Sequence, residues 1–143
     1  MTNASATTGG CLCGAVRYAA RGQPIDAGYC HCRVCQRSSG APVLAWATFP
    51  STAFEYTEGA AATYRSSTHA VREFCSACGT QIVFREDASP RVDLNMGSLD
   101  DPAALAPQYH IWTQSRIPWF DTADTLPRHA DEGPDAPTDA ERL

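Results

Sequence analysis

The sequence contains no lysine, because all eleven basic residues are arginines. This excludes Schiff-base catalysis and the phosphate-binding P-loop, which both depend on a lysine amine. The sequence also lacks any apolar run near the roughly 20 residues of a membrane-spanning helix. Sixteen acidic residues leave a formal net charge of −5, which is the wrong sign for binding phosphate backbones. We therefore expect neither nucleic acid nor a membrane among the partners.

The length of 143 residues corresponds to one domain, since domains commonly span roughly 100–200 residues. Residues 1–10 have neither the basic nor the apolar stretch of a secretory signal, and we expect a cytoplasmic protein, either a monomer or a homodimer. Both ends are polar and poor in large apolar residues. We therefore predict a flexible N-terminus over residues 1–9, a folded domain over residues 10–129 and a disordered acidic tail over residues 130–143.

Short segments rich in Val, Phe, Tyr, Trp or Ile alternate with Gly, Pro, Ser or Asp, a pattern that is typical of strands and turns. The predicted strands are 15–19, 43–49, 54–56, 71–74, 81–85 and 92–96. Only residues 101–105 are predicted to be helical, because an aspartate precedes Pro102 at a first-turn position. The pattern predicts a mainly β domain with short helical turns.

Seven cysteines fall into three clusters. An odd number in a chain that we expect to be cytoplasmic argues against a disulfide framework, and the C-x-C and C-x-x-C spacings favour metal binding. The clusters are Cys11 with Cys13, Cys30 with Cys32 and Cys35, and Cys75 with Cys78.

Each two-cysteine cluster is followed by a glycine, which permits the tight turn of a zinc knuckle. A closed tetrahedral zinc site needs four ligands, so the two pairs together would complete one structural site. The middle cluster could hold a second zinc through three thiolates and leave its fourth position open, as catalytic zinc sites do. Such a site suits a soft sulfur ligand, and a thiol bound there would ionise near neutral pH.

Two alternatives remain open at this point. The cysteines could be free or disulfide-bonded, or the three-cysteine site could be closed by His31, His69 or His110 and be purely structural. His31 stands between two ligands, and in an extended segment its side chain would point away from theirs. We therefore expect His31 to lie beside the three-cysteine metal site and not to be one of its ligands.

The cysteine motifs and those around them resemble the glutathione-dependent formaldehyde-activating enzyme family, which includes centromere protein V. The resemblance covers about residues 10–129. Its motifs are C-x-C-G from Cys11, C-H-C-x-x-C from Cys30 followed by S-G-A-P from Ser39, F-C-x-x-C-G-T from Phe74, G-S-L-D from Gly97, H-I-W from His110 and R-x-P-W from Arg116.

This resemblance implies a β-tent-like zinc-binding fold of small antiparallel sheets. It implies two Zn²⁺ per chain, one structural on Cys11, Cys13, Cys75 and Cys78 and one catalytic on Cys30, Cys32 and Cys35. The implied activity is the condensation of formaldehyde with glutathione to S-hydroxymethylglutathione, which is classed as a carbon–sulfur lyase reaction. A small-molecule thiol such as glutathione is then the expected partner.

Residues that adjoin the proposed ligands are candidates for contacting a substrate. They are Arg37, Ser39, Trp46, Arg65, Ser66, Ser67, Trp112 and Arg116. An arginine can bind a carboxylate of an anionic tripeptide through two hydrogen bonds, but each arginine could equally form a surface salt bridge, and the tryptophans could pack in the core. Asp93 and Asp100 are expected to cap turns. Two hypotheses compete with an enzyme: a thiol-binding module without turnover, and an interaction scaffold with structural zinc only.

Overall fold

The computed structural model describes residues 5–133. Within that range, ten strands form two sheets, and one α-helix and four short 3-10 turns connect them. The mainly β prediction is confirmed. No helix of this part of the chain has the length and apolar character needed to cross a membrane.

The strands are β1 (Ala6–Gly10), β2 (Arg17–Arg21), β3 (Asp26–Cys30), β4 (Leu44–Pro50), β5 (Phe54–Glu58), β6 (Ala62–Arg65), β7 (Ala70–Phe74), β8 (Gln81–Glu86), β9 (Arg91–Asn95) and β10 (His110–Ile111). Helix α1 (Arg33–Ser39) lies between β3 and β4, and the 3-10 turns are Ser51–Ala53, Met96–Ser98, Pro102–Ala104 and Thr113–Ser115. The smaller sheet has the order β1-β2-β5, and the larger has the order β10-β3-β4-β9-β8-β7-β6. Every ladder is antiparallel except that between β10 and β3, which is parallel.

The larger sheet has one apolar face and one mixed face. Phe49, Val92 and Leu94 are fully buried in the core, together with Tyr18 of the smaller sheet. On the mixed face, residues that are paired across five neighbouring strands form a line, because paired residues share a face. This line, hereafter the floor row, runs Asp26, Thr48, Asp93, Phe84, Arg72.

A glycine is required at position 28 of β3 because Trp46 and Tyr109 pack closely against the backbone there, and not because the chain turns. A Cβ at this position would lie 2.5 Å from Trp46 Cη2 and 2.9 Å from the Tyr109 carbonyl oxygen. Its absence lets the Trp46 ring lie across β3 and pack edge-on against Tyr109, with ring centroids 5.8 Å apart. A glycine has little intrinsic preference for a strand, which explains why the sequence pattern did not indicate β3.

All six predicted strands are present, with their ends displaced by up to two residues. Four strands were missed, β1, β3, β6 and β10. They contain few β-branched residues, and pairing with neighbours determines their conformation. Residues 6–9 of β1 belong to the segment for which flexibility is predicted, and all five residues of the strand pair with β2. Residues 134–143 of the predicted acidic tail lie outside the described residues.

Helix α1 corrects the prediction that residues 101–105 are the sole helical segment. It is seven residues long, and its one buried residue is Gln36, so it has no apolar periodicity to detect. The predicted helix at residues 101–105 is a 3-10 turn, Pro102–Ala104, and the Asp101 side chain forms no capping hydrogen bond.

Candidate metal centres and cavity

The four-cysteine cluster brings together two turns that lie far apart in sequence. Cys11 and Cys13 follow β1, whereas Cys75 and Cys78 lie between β7 and β8. All four sulfurs lie within 4.8 Å of one another. Cys13 Sγ is 3.6 Å from Cys11 Sγ and 3.8 Å from Cys75 Sγ. A tetrahedron with zinc–sulfur bonds of about 2.3 Å separates its sulfurs by roughly 3.8 Å, so the cluster fits a closed zinc site.

The two glycines that follow Cys13 and Cys78 have the same backbone conformation. Gly14 and Gly79 both have φ of +82°, in the left-handed region that other residues avoid. A Cβ on either glycine would meet no atom within 4 Å, so the requirement for glycine is conformational and not steric. The knuckle turns predicted from the sequence thus occur in both halves of the cluster.

Backbone and hydroxyl donors surround the sulfurs of this cluster. The amide of Val16 donates to Cys11 Sγ at 3.3 Å, and that of Cys78 to Cys75 Sγ at 3.5 Å. A hydrogen bond from the Thr80 hydroxyl lowers the pKa of Cys78 to about 5. Such donors stabilise thiolates, which are the metal-binding form of cysteine.

The three-cysteine cluster forms where β3 ends and α1 begins. Cys30 is the last residue of β3, Cys32 is the N-cap of α1, and Cys35 lies in its first turn. Cys32 Sγ accepts a hydrogen bond from the Cys35 amide at 3.2 Å. The three sulfurs lie within 4.8 Å of one another, and no His, Asp or Glu from residues 5–133 joins them. All seven cysteines are free thiols.

Ionisation of the three sulfurs is strongly coupled. Hydrogen bonds from Cys30 and Cys35 lower the pKa of Cys32 to about 2, whereas the bond with Cys32 raises the pKa of Cys30 far above its usual range. The sulfurs thus oppose one another's ionisation, and a bound cation would favour the thiolate form of all three. Three soft sulfur donors at this spacing fit Zn²⁺.

His31, which stands between two of these cysteines, belongs to a different network. Its Nε2 lies 2.8 Å from His110 Nδ1, and His110 Nε2 lies 3.1 Å from an Asp124 carboxylate oxygen. The Asp124 carboxylate accepts from His110 Nε2, and a single proton lies between His31 Nε2 and His110 Nδ1. Burial lowers the pKa of His31. Neither these two histidines nor His69 is part of the sulfur cluster.

Gln36 fixes the start of α1 to a second segment of the chain. Its Nε2 donates to the His31 carbonyl at 2.8 Å and to the Ser115 carbonyl at 3.1 Å, and its Oε1 accepts from Arg33 Nη1 at 2.6 Å. The His31 amide donates to the Ile111 carbonyl at 3.1 Å. These bonds hold the three-cysteine segment against residues 110–115.

The three-cysteine cluster opens onto a cavity of about 610 Å³, which is lined by all three of its cysteines. This volume is within the range of small-molecule sites, roughly 300–1,000 Å³. The floor row forms its base, and Trp46, Tyr109 and Trp112 are among its walls. None of the four cysteines of the other cluster is among its lining residues.

One side of the floor row is acidic. Asp26 Oδ2 accepts a hydrogen bond from the Tyr109 hydroxyl at 2.7 Å, and Asp93 Oδ1 accepts one from the Thr48 hydroxyl at 2.7 Å. Trp46 Nε1 in turn donates to Thr48 Oγ1 at 3.0 Å. Burial raises the pKa of Asp93 to about 7. Asp93 belongs to β9 and lines the cavity, so the expectation that it caps a turn is wrong.

The other side of the floor row is basic. Arg72 is 6% exposed and lines the cavity. Its guanidinium carbon lies 4.9 Å from the centroid of the Phe84 ring, and its Nη2 lies 3.9 Å from Cys35 Sγ. A positive charge is thus placed beside the sulfur cluster.

The structure places four of the candidate substrate residues in the cavity wall, namely Trp46, Ser66, Ser67 and Trp112. Arg65 instead pairs with Asp87 at 2.8 Å, and Arg116 donates to the carbonyls of Ile117 and Phe120.

Three other residues named from the sequence also lie elsewhere. Ser39 donates to the Cys35 carbonyl at 2.7 Å, Arg37 lines a neighbouring surface pocket, and Asp100 pairs with Arg17.

Sequence reasoning missed Asp26 and Arg72 as cavity residues. The alternation of residues along the predicted strand 71–74 was the available signal for Arg72, because it puts the arginine on the opposite face from Val71. Nothing in the sequence showed which face was lined by a cavity.

Comparison with known proteins identifies a similar crystal structure and a matching family. A crystal structure of a Rhodobacter sphaeroides protein is similar, with a TM-score of 0.54 and 28% sequence identity over 65% of this chain and 87% of that one. The family model described as glutathione-dependent formaldehyde-activating enzyme matches residues 6–115, a span that includes all seven cysteines. The resemblance seen in the sequence is thereby confirmed, and the chain belongs to the glutathione-dependent formaldehyde-activating enzyme family.

Proposed function

We propose that the protein is a zinc-dependent carbon–sulfur lyase that forms or cleaves the adduct between a thiol of the glutathione type and a small aldehyde such as formaldehyde. The observation that carries this proposal is a sulfur cluster with three donors, rather than four, at the wall of a ligand-sized cavity. Family membership supports the choice of glutathione and formaldehyde. The cytoplasm fits this chemistry, since thiols stay reduced there.

In this proposal the two clusters have separate roles. Cys11, Cys13, Cys75 and Cys78 would hold a structural zinc, and Cys30, Cys32 and Cys35 a catalytic one. Zinc at the three-cysteine site would supply a Lewis acid that lowers the pKa of a substrate thiol. Arg72, whose Nη2 lies 3.9 Å from Cys35 Sγ, would offset negative charge on the sulfurs, and the rings of Trp46 and Trp112 in the cavity wall would limit the water inside it.

The reaction needs no external oxidant or reductant. In the direction of synthesis, the thiol loses its proton and an S–C bond forms to the carbonyl carbon. The π electron pair of the carbonyl moves to its oxygen, which takes up a proton. Cleavage reverses each of these steps and releases the aldehyde.

The test compares adduct formation with and without the zinc-loaded protein, followed by NMR of glutathione mixed with ¹³C-labelled formaldehyde. We expect equilibration at least about tenfold faster than the spontaneous reaction, and no acceleration by a folded Cys32→Ser variant. Arg65→Gln, which alters an arginine outside the cavity, serves as the matched control and should keep the activity. Equal rates with and without protein would disprove an enzyme, and saturable glutathione binding in that case would show a thiol-binding module.

A further inference from the structure

Two buried histidines and an aspartate form a hydrogen-bonded chain beside the three-cysteine cluster, and the proposed reaction does not use them. This group, hereafter the imidazole chain, consists of His31, His110 and Asp124, joined by contacts of 2.8 Å and 3.1 Å. His31 and His110 are 1% and 0% exposed, and their rings stack with centroids 5.1 Å apart. Neither histidine lines the cavity. An effect of the imidazole chain on the cluster therefore has to pass through the backbone of His31.

His31 is held at three points. Its amide donates to the Ile111 carbonyl at 3.1 Å, its carbonyl accepts from Gln36 Nε2 at 2.8 Å, and its imidazole bonds to His110. Both of its peptide groups and the direction of its side chain are thereby fixed. The two peptide groups lead directly to Cys30 and Cys32, so the same contacts determine where these two ligands lie.

The far end of the imidazole chain is anchored in a segment that is remote from the cysteines in sequence. Asp124 Oδ1 also accepts from the Leu126 amide at 3.0 Å. The His110 amide donates to the Pro127 carbonyl at 2.8 Å, and His110 pairs with Tyr29 in the ladder between β10 and β3. The imidazoles are thus oriented against backbone that is itself hydrogen-bonded.

The equivalent position of the four-cysteine cluster has no such anchor. Leu12, between Cys11 and Cys13, is 89% exposed, and its amide donates to the Thr80 hydroxyl at 3.0 Å. A closed site that loses one of four ligands keeps three, whereas an open site that loses one of three keeps only two. The three-cysteine cluster is therefore the one whose metal binding depends on ligands that are fixed in advance.

We propose that the imidazole chain positions Cys30 and Cys32 and thereby sets the metal affinity of the three-cysteine cluster. Substitution of residues that orient metal ligands from outside changes affinity by roughly 10–100-fold. The inference rests on the proposed function only in requiring a metal ion at this cluster, and it needs no turnover.

The experiment measures the dissociation constant of the more weakly held zinc by competition with chelators of graded affinity. Replacement of that zinc by Co²⁺ then records the thiolate-to-metal absorption band, which reports the geometry of the ligands. His110→Phe keeps a ring but removes both hydrogen bonds, and it should weaken this zinc at least about tenfold and alter the band. Asp124→Leu should change both in the same direction, whereas Asp124→Asn keeps an oxygen that accepts from His110 Nε2 and should restore them.

Asp121→Leu is the matched control, because Asp121 is a second carboxylate partner of Arg128, at 3.4 Å, and should leave the zinc affinity unchanged. Circular dichroism reports the fold, and Asp124, whose side chain is 27% exposed, provides a variant if His110→Phe does not fold. Unchanged affinity in folded Asp124→Leu, or an equal loss in Asp121→Leu, would overturn this inference alone. A single zinc per chain in the unmodified protein would overturn it together with the proposed metal site. Weaker zinc binding in Asp124→Leu, combined with no turnover by the unmodified protein, would support the inference and refute the proposed function.

Discussion

The two cysteine clusters use the same ligand atom in different structural settings. The four-cysteine cluster joins turns whose cysteines are up to 67 residues apart in sequence and lies outside the cavity. The three-cysteine cluster is contained in residues 30–35 and lines the cavity. Closure of a long loop removes much of the freedom of the unfolded chain, whereas a local cluster contributes little in this way. This difference in sequence separation and ligand number leads to the prediction that the four-cysteine cluster holds the fold and that the three-cysteine cluster is available for chemistry.

The largest effect is expected from a substitution that removes one ligand of the four-cysteine cluster. Cys75 is 1% exposed and belongs to the β7–β8 turn. Cys75→Ser should prevent folding at 25 °C, because a structural zinc site can contribute about 10 kcal/mol or more, which is comparable to the total stability of a domain. Far-ultraviolet circular dichroism and urea titration measure this. The matched variant Cys32→Ser should fold and bind one zinc fewer, and equal unfolding of both variants would contradict the distinction.

Removal of zinc by a chelator tests the same difference between the two clusters without a mutation. The protein should bind two zinc ions per chain, and a chelator should remove one of them first, because an open three-ligand site holds metal less firmly than a closed one. Zinc release is followed with a chromogenic chelator while circular dichroism reports the fold. We expect the first zinc to leave with the strands intact and the second to leave together with unfolding. Release of both ions in one step would show that the clusters are not independent.

A smaller effect concerns two aspartates, of which Asp93 lines the cavity and Asp100 does not. Burial raises the folded-state pKa of Asp93, at the cavity, to about 7, so its cost to the fold is absent below the unfolded pKa near 4, grows as the pH rises from 4 to 7 and is complete above 7. Asp93→Asn keeps the acceptor for Thr48 and should be more stable than the unmodified protein at pH 8 by about 1–3 kcal/mol, with the difference vanishing near pH 4. Urea unfolding across this range measures it.

Asp100 serves as the control, because its pKa shifts in the opposite direction. A hydrogen bond from Arg17 lowers its pKa to about 2, so Asp100→Asn should lose stability at neutral pH, and the loss should disappear as the pH falls towards 2. The pair is half-exposed, and the loss should stay below about 1 kcal/mol. The same pH trend in both variants would refute the contrast.

A last prediction tests the knuckle turns of the four-cysteine cluster. Gly79→Ala should destabilise the protein by about 1 kcal/mol, because an alanine pays a conformational penalty at φ of +82° while its Cβ meets no atom within 4 Å. Gly97→Ala is the matched control, since Gly97 is equally uncrowded without a positive φ. Thermal unfolding of both variants provides the measurement, and similar losses would show that the turn conformation is not the cause.

The metal clusters could be predicted from the sequence, because ligand type and spacing are local properties of the chain. The division of seven cysteines into four and three needed only the ligand number of zinc, and the structure groups the sulfurs in the same way. The six predicted strands could be recognised for the same reason, because their β-branched and aromatic residues are also a local property of the chain.

Two elements that line the cavity, α1 and β3, were hidden from the sequence, because tertiary contacts determine them. Helix α1 has a cysteine as its N-cap and a glutamine as its buried residue, neither of which is a usual helix signal, and only Gly40 at its C-terminus and Arg37 in its last turn match one. Strand β3 depends on Gly28, whose role appears only when Trp46 lies above it. The arginines named as substrate contacts were chosen by proximity in sequence, whereas Arg72 comes from a strand 37 residues beyond Cys35.

The floor row has a consequence for how this architecture can change over evolutionary time. Its five side chains project into the cavity, while the intervening residues of the same strands, such as Phe49, Val92 and Leu94, fill the core on the reverse side. A substitution on one side of the sheet therefore leaves the packing on the other side in place. Paralogues could therefore differ in the polar residues of these strands and acquire new ligand preferences, while the apolar core on the reverse side of the sheet is inherited unaltered.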